Sequence, residues 1–105
     1  MGRFTYQESV GVEIEDRALA HLQVVILDKL RRNESFAFTW REDASLGDGR
    51  TTVWLSSASS LVFKYHGSRV PQLSGAWLEA LATIANGTAG LHLVPEPDPQ
   101  APAGA

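Results

Sequence analysis

A chain of 105 residues with 44% hydrophobic side chains is long enough to build one small domain with its own core. It contains no cysteine, which excludes disulfides, thiolate zinc sites and cysteine nucleophiles and is typical of a cytoplasmic protein. Its formal net charge of −3 disfavours a general affinity for phosphate backbones, and its longest apolar run, VVIL, is too short to span a membrane, so no membrane partner is expected.

Two short strands and a long helix are predicted at the start of the chain. Residues 3–8 and 10–15 carry apolar side chains at every second position, which is the period of a strand. Asp16 then stands where an N-cap belongs, and its carboxylate would accept from the backbone N–H groups of the first helical turn. The helix DRALAHLQVVILDKLRRN has a wide apolar stripe, so we expect it to pack on a sheet and to touch a second element or subunit.

Three strands follow, with the sequences ESFAFTWR, RTTVWLS and LVFKYH. Their alternation predicts one apolar face that consists of Phe36, Phe38, Trp40, Val53, Leu55, Leu61, Phe63 and Tyr65. The first connection, EDASLGDG, ends in the Asp-Gly pair that is typical of a hairpin. The second connection, SASS, is short enough to join antiparallel neighbours.

A second helix is predicted from about Gly75 to Asn86, with Ser74 as its cap, and LHLV is a candidate for a last short strand. The order β-β-α-β-β-β-α, with or without a final β, predicts the α+β class: a small antiparallel sheet covered on one face by two helices. We expect a single domain over residues 1–94. Residues 95–105, rich in proline and alanine, should form a disordered tail.

The opposite face of the predicted sheet is the candidate binding face. By alternation it carries Arg41, Arg50, Trp54, Lys64 and His66. Three interpretations stay open: the interface of a homodimer or of another protein partner, a solvated face, or a platform for single-stranded nucleic acid. The first is favoured, since tryptophan and arginine are enriched in interfaces. Sheets that bind RNA usually offer two or three aromatic side chains, whereas this face offers one.

No catalytic, metal-binding or cofactor-binding residues are predicted. His21, His66 and His92 are too scattered for a metal motif and are expected at the surface or at an edge. The acidic residues of EDASLGDG lack the spacing of a calcium loop. GDG precedes a strand and not a helix, so it is no phosphate-binding loop.

Several stretches taken together resemble a known family: DRALAHLQVVILDKLRR, ESFAFTW, GRTTVWL, and WLEALATIANG ahead of LVPEP. They are similar to short uncharacterised actinobacterial proteins, over nearly the whole chain to about Pro97. Many of these proteins carry the automatic label "ATP-dependent DNA ligase". The resemblance implies no site residues, and a ligase would need a Lys-x-Asp-Gly motif. Neither lysine provides one, because Leu30 follows Lys29 and Tyr65 follows Lys64.

The sequence therefore favours a non-catalytic binding or adaptor domain that self-associates or binds another protein. The alternative is an accessory nucleic-acid-binding protein associated with DNA ligation or repair. A nucleic-acid binder should be retained on a single-stranded DNA column in a manner that falls with salt, whereas a protein adaptor should not.

Overall fold

The computed structural model describes residues 1–42, 47 and 49–98, and within them six strands and two helices follow the predicted order. The elements are β1 (Gly2–Tyr6), β2 (Val10–Ile14), α1 (Asp16–Arg31), β3 (Phe36–Arg41), β4 (Arg50–Leu55), β5 (Leu61–Lys64), α2 (Gly75–Ala85) and β6 (Leu91–His92). The α+β class and the order β-β-α-β-β-β-α-β are confirmed. The middle of the β3–β4 connection, residues 43–46 and 48, lies outside the described residues.

The strands form two three-stranded sheets where a single one was expected. The β1 sheet has the order β2-β1-β5, and the β3 sheet has the order β4-β3-β6. Every pairing is antiparallel except that of β6 with β3, which is parallel. The expectation that SASS joins neighbouring strands is wrong. Because β5 pairs with β1, this connection carries the chain from the β3 sheet to the β1 sheet.

The core confirms the predicted alternation of β3 and β4. The structure buries the side chains of Phe36, Phe38, Trp40, Val53 and Leu55. Phe4 of β1 is fully buried as well, and its ring centroid lies 5.3 Å from that of Phe38 in an edge-on arrangement. The same ring lies 5.4 Å from the ring of Phe63 on β5. Phe4 therefore contacts an aromatic ring in each sheet and connects the two sheets. Aromatic pairs at these distances add stability beyond the area that they bury.

The start of α1 differs from the prediction. Its N-cap is Glu15, which makes no capping side-chain hydrogen bond, so the assignment of Asp16 as the cap is wrong. The Asp16 carboxylate instead accepts from the backbone N–H groups of Gly67 at 2.8 Å and His66 at 3.1 Å. These donors favour the charged carboxylate, so they lower the pKa of Asp16. The side chain thus ties α1 to the segment that follows β5.

The end of α1 is closed by Asn33, whose backbone is left-handed with a φ of 59°. The Asn33 N–H donates to the Leu30 carbonyl at 2.9 Å, and the Glu34 N–H donates to the Lys29 carbonyl at 3.0 Å. This pair of bonds is a Schellman motif, which satisfies carbonyls that the last helical turn leaves free.

The second helix begins as predicted, since the Ser74 side chain accepts from the Trp77 N–H. Beyond β6 the chain stays in contact with the helices. The indole N–H of Trp77 donates to the Val94 carbonyl at 2.9 Å, and Arg17 and Glu96 form a two-point ion pair at 2.9 and 2.7 Å. The ion pair lowers the pKa of Glu96 and raises that of Arg17. The domain boundary at residue 94 and the disordered tail stay predictions, and residues 99–105 lie outside the described part of the chain.

Candidate binding face and cleft

The side of the β3 sheet that faces away from the core collects most of the candidate binding residues. The strand register places Arg41 opposite Arg50, Thr39 opposite Thr52 and Ala37 opposite Trp54. The parallel strand β6 adds His92 beside Thr39. We call this surface the outer face; its members are Ala37, Thr39, Arg41, Arg50, Thr52, Trp54 and His92.

Trp54 is the largest apolar side chain on the outer face and is 60% exposed. Its cross-strand neighbour is Ala37, a side chain too small to cover an indole ring. The Oγ1 atoms of Thr39 and Thr52 lie 2.7 Å apart in a hydrogen bond beside this pair. Trp54 is therefore displayed on a hydrogen-bonded, regular strand and not on a loop.

Arg41 and Arg50 occupy the other end of the outer face. Directly opposite side chains on antiparallel strands have Cβ atoms about 4.5–5.5 Å apart, and like charges in such a pair are destabilising. Neither arginine forms an ion pair with any residue that the structure describes. The neighbouring carboxylate, that of Glu42, accepts a hydrogen bond from the Oγ1 of Thr51. The arginine pair therefore creates a positive end that favours an anionic group.

The structure divides the five predicted site residues between the two sheets. Arg41, Arg50 and Trp54 lie together on the outer face. Lys64 lies on β5 of the β1 sheet, opposite Arg3, and His66 follows that strand with its backbone N–H bound to Asp16. The two groups belong to different sheets because β5 pairs with β1 and not with β4.

His21 was expected at the surface, and this prediction is wrong. The ring is fully buried, and its Nε2 accepts from the Ser74 backbone N–H at 2.8 Å. Its Nδ1 lies 2.7 Å from the Arg17 carbonyl oxygen. Because a backbone N–H can only donate and a carbonyl can only accept, the ring is neutral and carries its proton on Nδ1. His21 therefore positions the start of α2, with its ring centroid 4.5 Å from that of Trp77.

A cleft of about 1100 Å³ lies where β6 ends beside β3. Its apolar lining comes from residues of β2, β3, α2 and the chain after β6, namely Val12, Ile14, Phe38, Trp40, Trp77 and Val94. Its polar lining includes Glu13 and Glu15 on the β2 side and Arg41, Arg50 and His92 on the outer-face side. The residues of this cleft come from distant parts of the sequence, so no local pattern could have predicted it.

Trp40 contributes an unsatisfied donor to this region. Its side chain is only 7% exposed, and its Nε1 is buried without a hydrogen-bond partner among the described residues. Trp77 lines the same cleft, but its N–H is already bonded to Val94. The two indoles therefore differ in one respect: one donor is satisfied within the chain and the other is not.

Residues 1–42, 47 and 49–98 contain no group of three or more His, Asp or Glu side chains placed to hold a metal ion. Neither helix in these ranges has the length and apolar character needed to cross a membrane.

These features define a small two-sheet α+β domain with an exposed tryptophan and a lined cleft. Residues 1–96 match the family model described as "Domain of unknown function (DUF7882)", and the chain belongs to this family. The resemblance to a family of uncharacterised proteins is confirmed to that extent. The search of curated proteins and the search of solved structures returned no match. The outer face and the cleft are therefore the features that bear on function.

Proposed function

We propose that the protein is a non-catalytic binding domain that self-associates through β4, with Trp54 as its anchor. The observation that carries this proposal is the 60% exposure of Trp54 on a strand at the edge of its sheet. Tryptophan is among the residues most enriched in interface hot spots. An edge strand also presents unpaired backbone N–H and C=O groups to which another strand can bond.

The symmetry of a dimer limits how two β4 strands can pair. Two identical edges that continue one sheet run antiparallel about a two-fold axis perpendicular to the sheet, so one residue faces its own copy. When the axis passes beside Thr52, Arg50 of one copy faces Trp54 of the second copy, and the reverse holds as well. All three side chains lie on the outer face.

This register brings together groups that attract each other. An arginine guanidinium over an indole ring contributes about 0.5–2 kcal/mol, depending on how far it is desolvated. The two Arg50 side chains are kept about 13 Å apart along the strands, which limits their repulsion. An axis beside Thr51 or Val53 would place Trp54 next to no basic residue. We therefore favour the register centred on Thr52.

Sedimentation velocity tests the self-association. The wild-type chain should sediment as a dimer and Trp54→Ala as a monomer, with an unchanged far-ultraviolet circular dichroism spectrum because Trp54 is outside the core. Val62→Ala is the matched control, since Val62 is 48% exposed on β5 of the other sheet and should leave the dimer intact. A monomeric wild-type chain, or a dimer that Trp54→Ala leaves unchanged, would contradict the proposal.

Cysteine cross-linking tests the register, because the chain has no cysteine of its own. Thr52→Cys should form an intermolecular disulfide under mild oxidation, since the two copies of residue 52 face each other. Thr51→Cys should not, because residue 51 would face residue 53. A dimer that links through another position would contradict this register while leaving self-association in place.

The second candidate function is an accessory nucleic-acid-binding protein associated with DNA ligation or repair. The observation that favours it is the Arg41–Arg50 pair on the face that carries Trp54. Cations beside an aromatic side chain can hold a single strand through phosphates and base stacking. The narrower resemblance, to actinobacterial proteins labelled as ligases, belongs to this candidate, and a cytoplasmic location is proposed for both.

Fluorescence anisotropy with labelled single-stranded DNA separates the two candidates. A nucleic-acid binder should bind with an affinity that falls steeply as salt increases, and both Arg41→Gln and Trp54→Ala should weaken it. Under the self-association proposal the labelled strand should show no salt-dependent binding, and its anisotropy should not change across the titration.

A further inference from the structure

We propose that the cleft beside β3 is a binding site for a small amphiphilic monoanion, a molecule with an apolar body and one carboxylate or sulfonate group. This site shares Arg50 and Thr52 with β4, but its aromatic lining comes from other elements, and the proposal does not depend on self-association.

The cleft exists because β6 is short. β6 pairs with β3 only at Phe38 and Thr39, so the side of β3 at Trp40 and Arg41 has no strand beside it. β2 of the other sheet and residues 93–96 stand around this gap. Its volume of about 1100 Å³ is slightly above the range of about 300–1000 Å³ that is usual for pockets of small organic ligands.

The buried N–H of Trp40 indicates that an acceptor is missing. It is the only side-chain nitrogen or oxygen atom of the described residues that is buried and has no hydrogen-bond partner. A buried donor without a partner costs free energy, and almost all such groups in folded proteins are bonded. Trp40 lines the cleft, so a small rotation of its indole would bring this N–H to an oxygen atom of a bound carboxylate or sulfonate, while the aromatic lining contacts the apolar body.

The charged residues around the cleft determine where the anionic group of the ligand lies and how many anionic groups the ligand can have. Arg41 and Arg50 lie on the outer-face side, without an ion pair to a described residue. Glu13 and Glu15 line the β2 side, so a second negative group would be repelled there. Glu96 is already paired with Arg17. This distribution fits one anionic group beside the arginines and disfavours a phosphodiester chain.

Titration with 1-anilinonaphthalene-8-sulfonate, followed by its fluorescence, tests the proposal with a probe of this chemical class. We expect one probe per chain on protein that still unfolds cooperatively. N-phenyl-1-naphthylamine, which has the same apolar body without the sulfonate, should bind about tenfold more weakly, since a hydrogen bond to a charged group is lost. Equal affinity for the two probes would contradict the assignment of an anion site.

Two variants test the residues. Trp40→Phe keeps an aromatic ring and removes the N–H, and Arg41→Gln removes a charge at the exposed rim; each should weaken sulfonate binding about tenfold. Trp54→Phe is the matched control, because Trp54 lies outside the cleft lining and should leave the affinity unchanged. Unchanged affinity in Arg41→Gln, or in a Trp40→Phe variant that folds, would overturn the proposal. So would an equal loss in Trp54→Phe, because the probe would then be bound elsewhere.

Discussion

The two sheets of this protein place charge on their outer sides in different ways. In the β1 sheet, one cross-strand row contains Glu13, Arg3 and Lys64, with Arg3 between the carboxylate and the lysine. In the β3 sheet, the row of Arg41 and Arg50 has no third member, because β6 ends at His92 before it reaches that row. The β1 sheet thus places a carboxylate opposite Arg3 in its own register, although none of the three side chains forms an ion pair with a described residue. The β3 sheet leaves its positive charge for a group from outside the described fold.

The largest expected effect concerns the aromatic contact that connects the sheets. Phe4→Ala should lower the free energy of unfolding by about 3–5 kcal/mol, and Phe38→Ala should cost a similar amount, because both rings are fully buried. Urea denaturation followed by tryptophan fluorescence measures both. Val62→Ala, at an exposed position of the β1 sheet, is the control. A small loss in Phe4→Ala beside a large loss in Phe38→Ala would mean that the sheets are stable independently.

A second prediction concerns the position of β6 against β3. Gly90 has a φ of 81°, and a Cβ atom there would lie 2.6 Å from the Ala37 carbonyl oxygen. Gly90→Ala should therefore cost about 1–3 kcal/mol from backbone strain, with the steric clash in addition. Gly49→Ala is the matched control, since a Cβ at Gly49 would meet nothing within 4 Å. Equal denaturation midpoints for the two variants would show that β6 can move away from β3 at no cost.

A third prediction concerns the link between α1 and the β1 sheet, and its sign follows from the pKa of Asp16. The N–H groups of Gly67 and His66 hold this pKa below the ordinary value of 3.8. The stabilisation is therefore fully present above pH 3.8 and is lost as the pH falls through the folded-state pKa. Asp16→Asn should lower the melting temperature at neutral pH, and its difference from wild type should shrink in acid. A difference that is constant with pH would exclude the charge of Asp16 as the cause.

The smallest expected effect is a change in the free energy of unfolding that tests the difference in charge placement between the two sheets. Arg50→Gln removes a like-charge pair and should raise the free energy of unfolding by about 0.3 kcal/mol at low salt. Lys64→Gln should give a smaller gain, because the repulsion between Lys64 and Arg3 is partly offset by the attraction of both to Glu13, on the other side of Arg3. Both variants should be measured on a Trp54→Ala background, so that association does not contribute. The gain should disappear at high salt, and a gain of equal size in Lys64→Gln would remove the distinction between the sheets.

The sequence predicted which side of each strand is buried but not which strands are neighbours. The bulky alternation of Phe36, Phe38 and Trp40 is a local signal, and burial followed it. The pairing of β5 with β1 depends on long-range packing, so Lys64 and His66 were grouped with the wrong sheet neighbours.

Single polar residues were the hardest to place, because their partners lie far along the chain. His21 is buried because the Ser74 N–H bonds to its ring. Asp16 is not the N-cap, and its carboxylate instead accepts hydrogen bonds from two backbone N–H groups beyond β5. Arg41, Arg50 and Trp54, three of the five candidate site residues, nevertheless lie on one face, because they follow the two-residue period of one hairpin.

The pairing of β1 with β5 has a consequence for synthesis on the ribosome. Among the described strands β1 is made before the others, yet it is the central strand of its sheet and receives its second neighbour only after residues 61–64 have been translated. An isolated two-stranded hairpin is at best marginally stable in water, so the nascent β1–β2 pair gains little before that point. Contacts between distant residues also slow folding. Chains interrupted before β5 should therefore expose Phe4 and be recognised by chaperones or proteases, whereas chains that include β5 bury it.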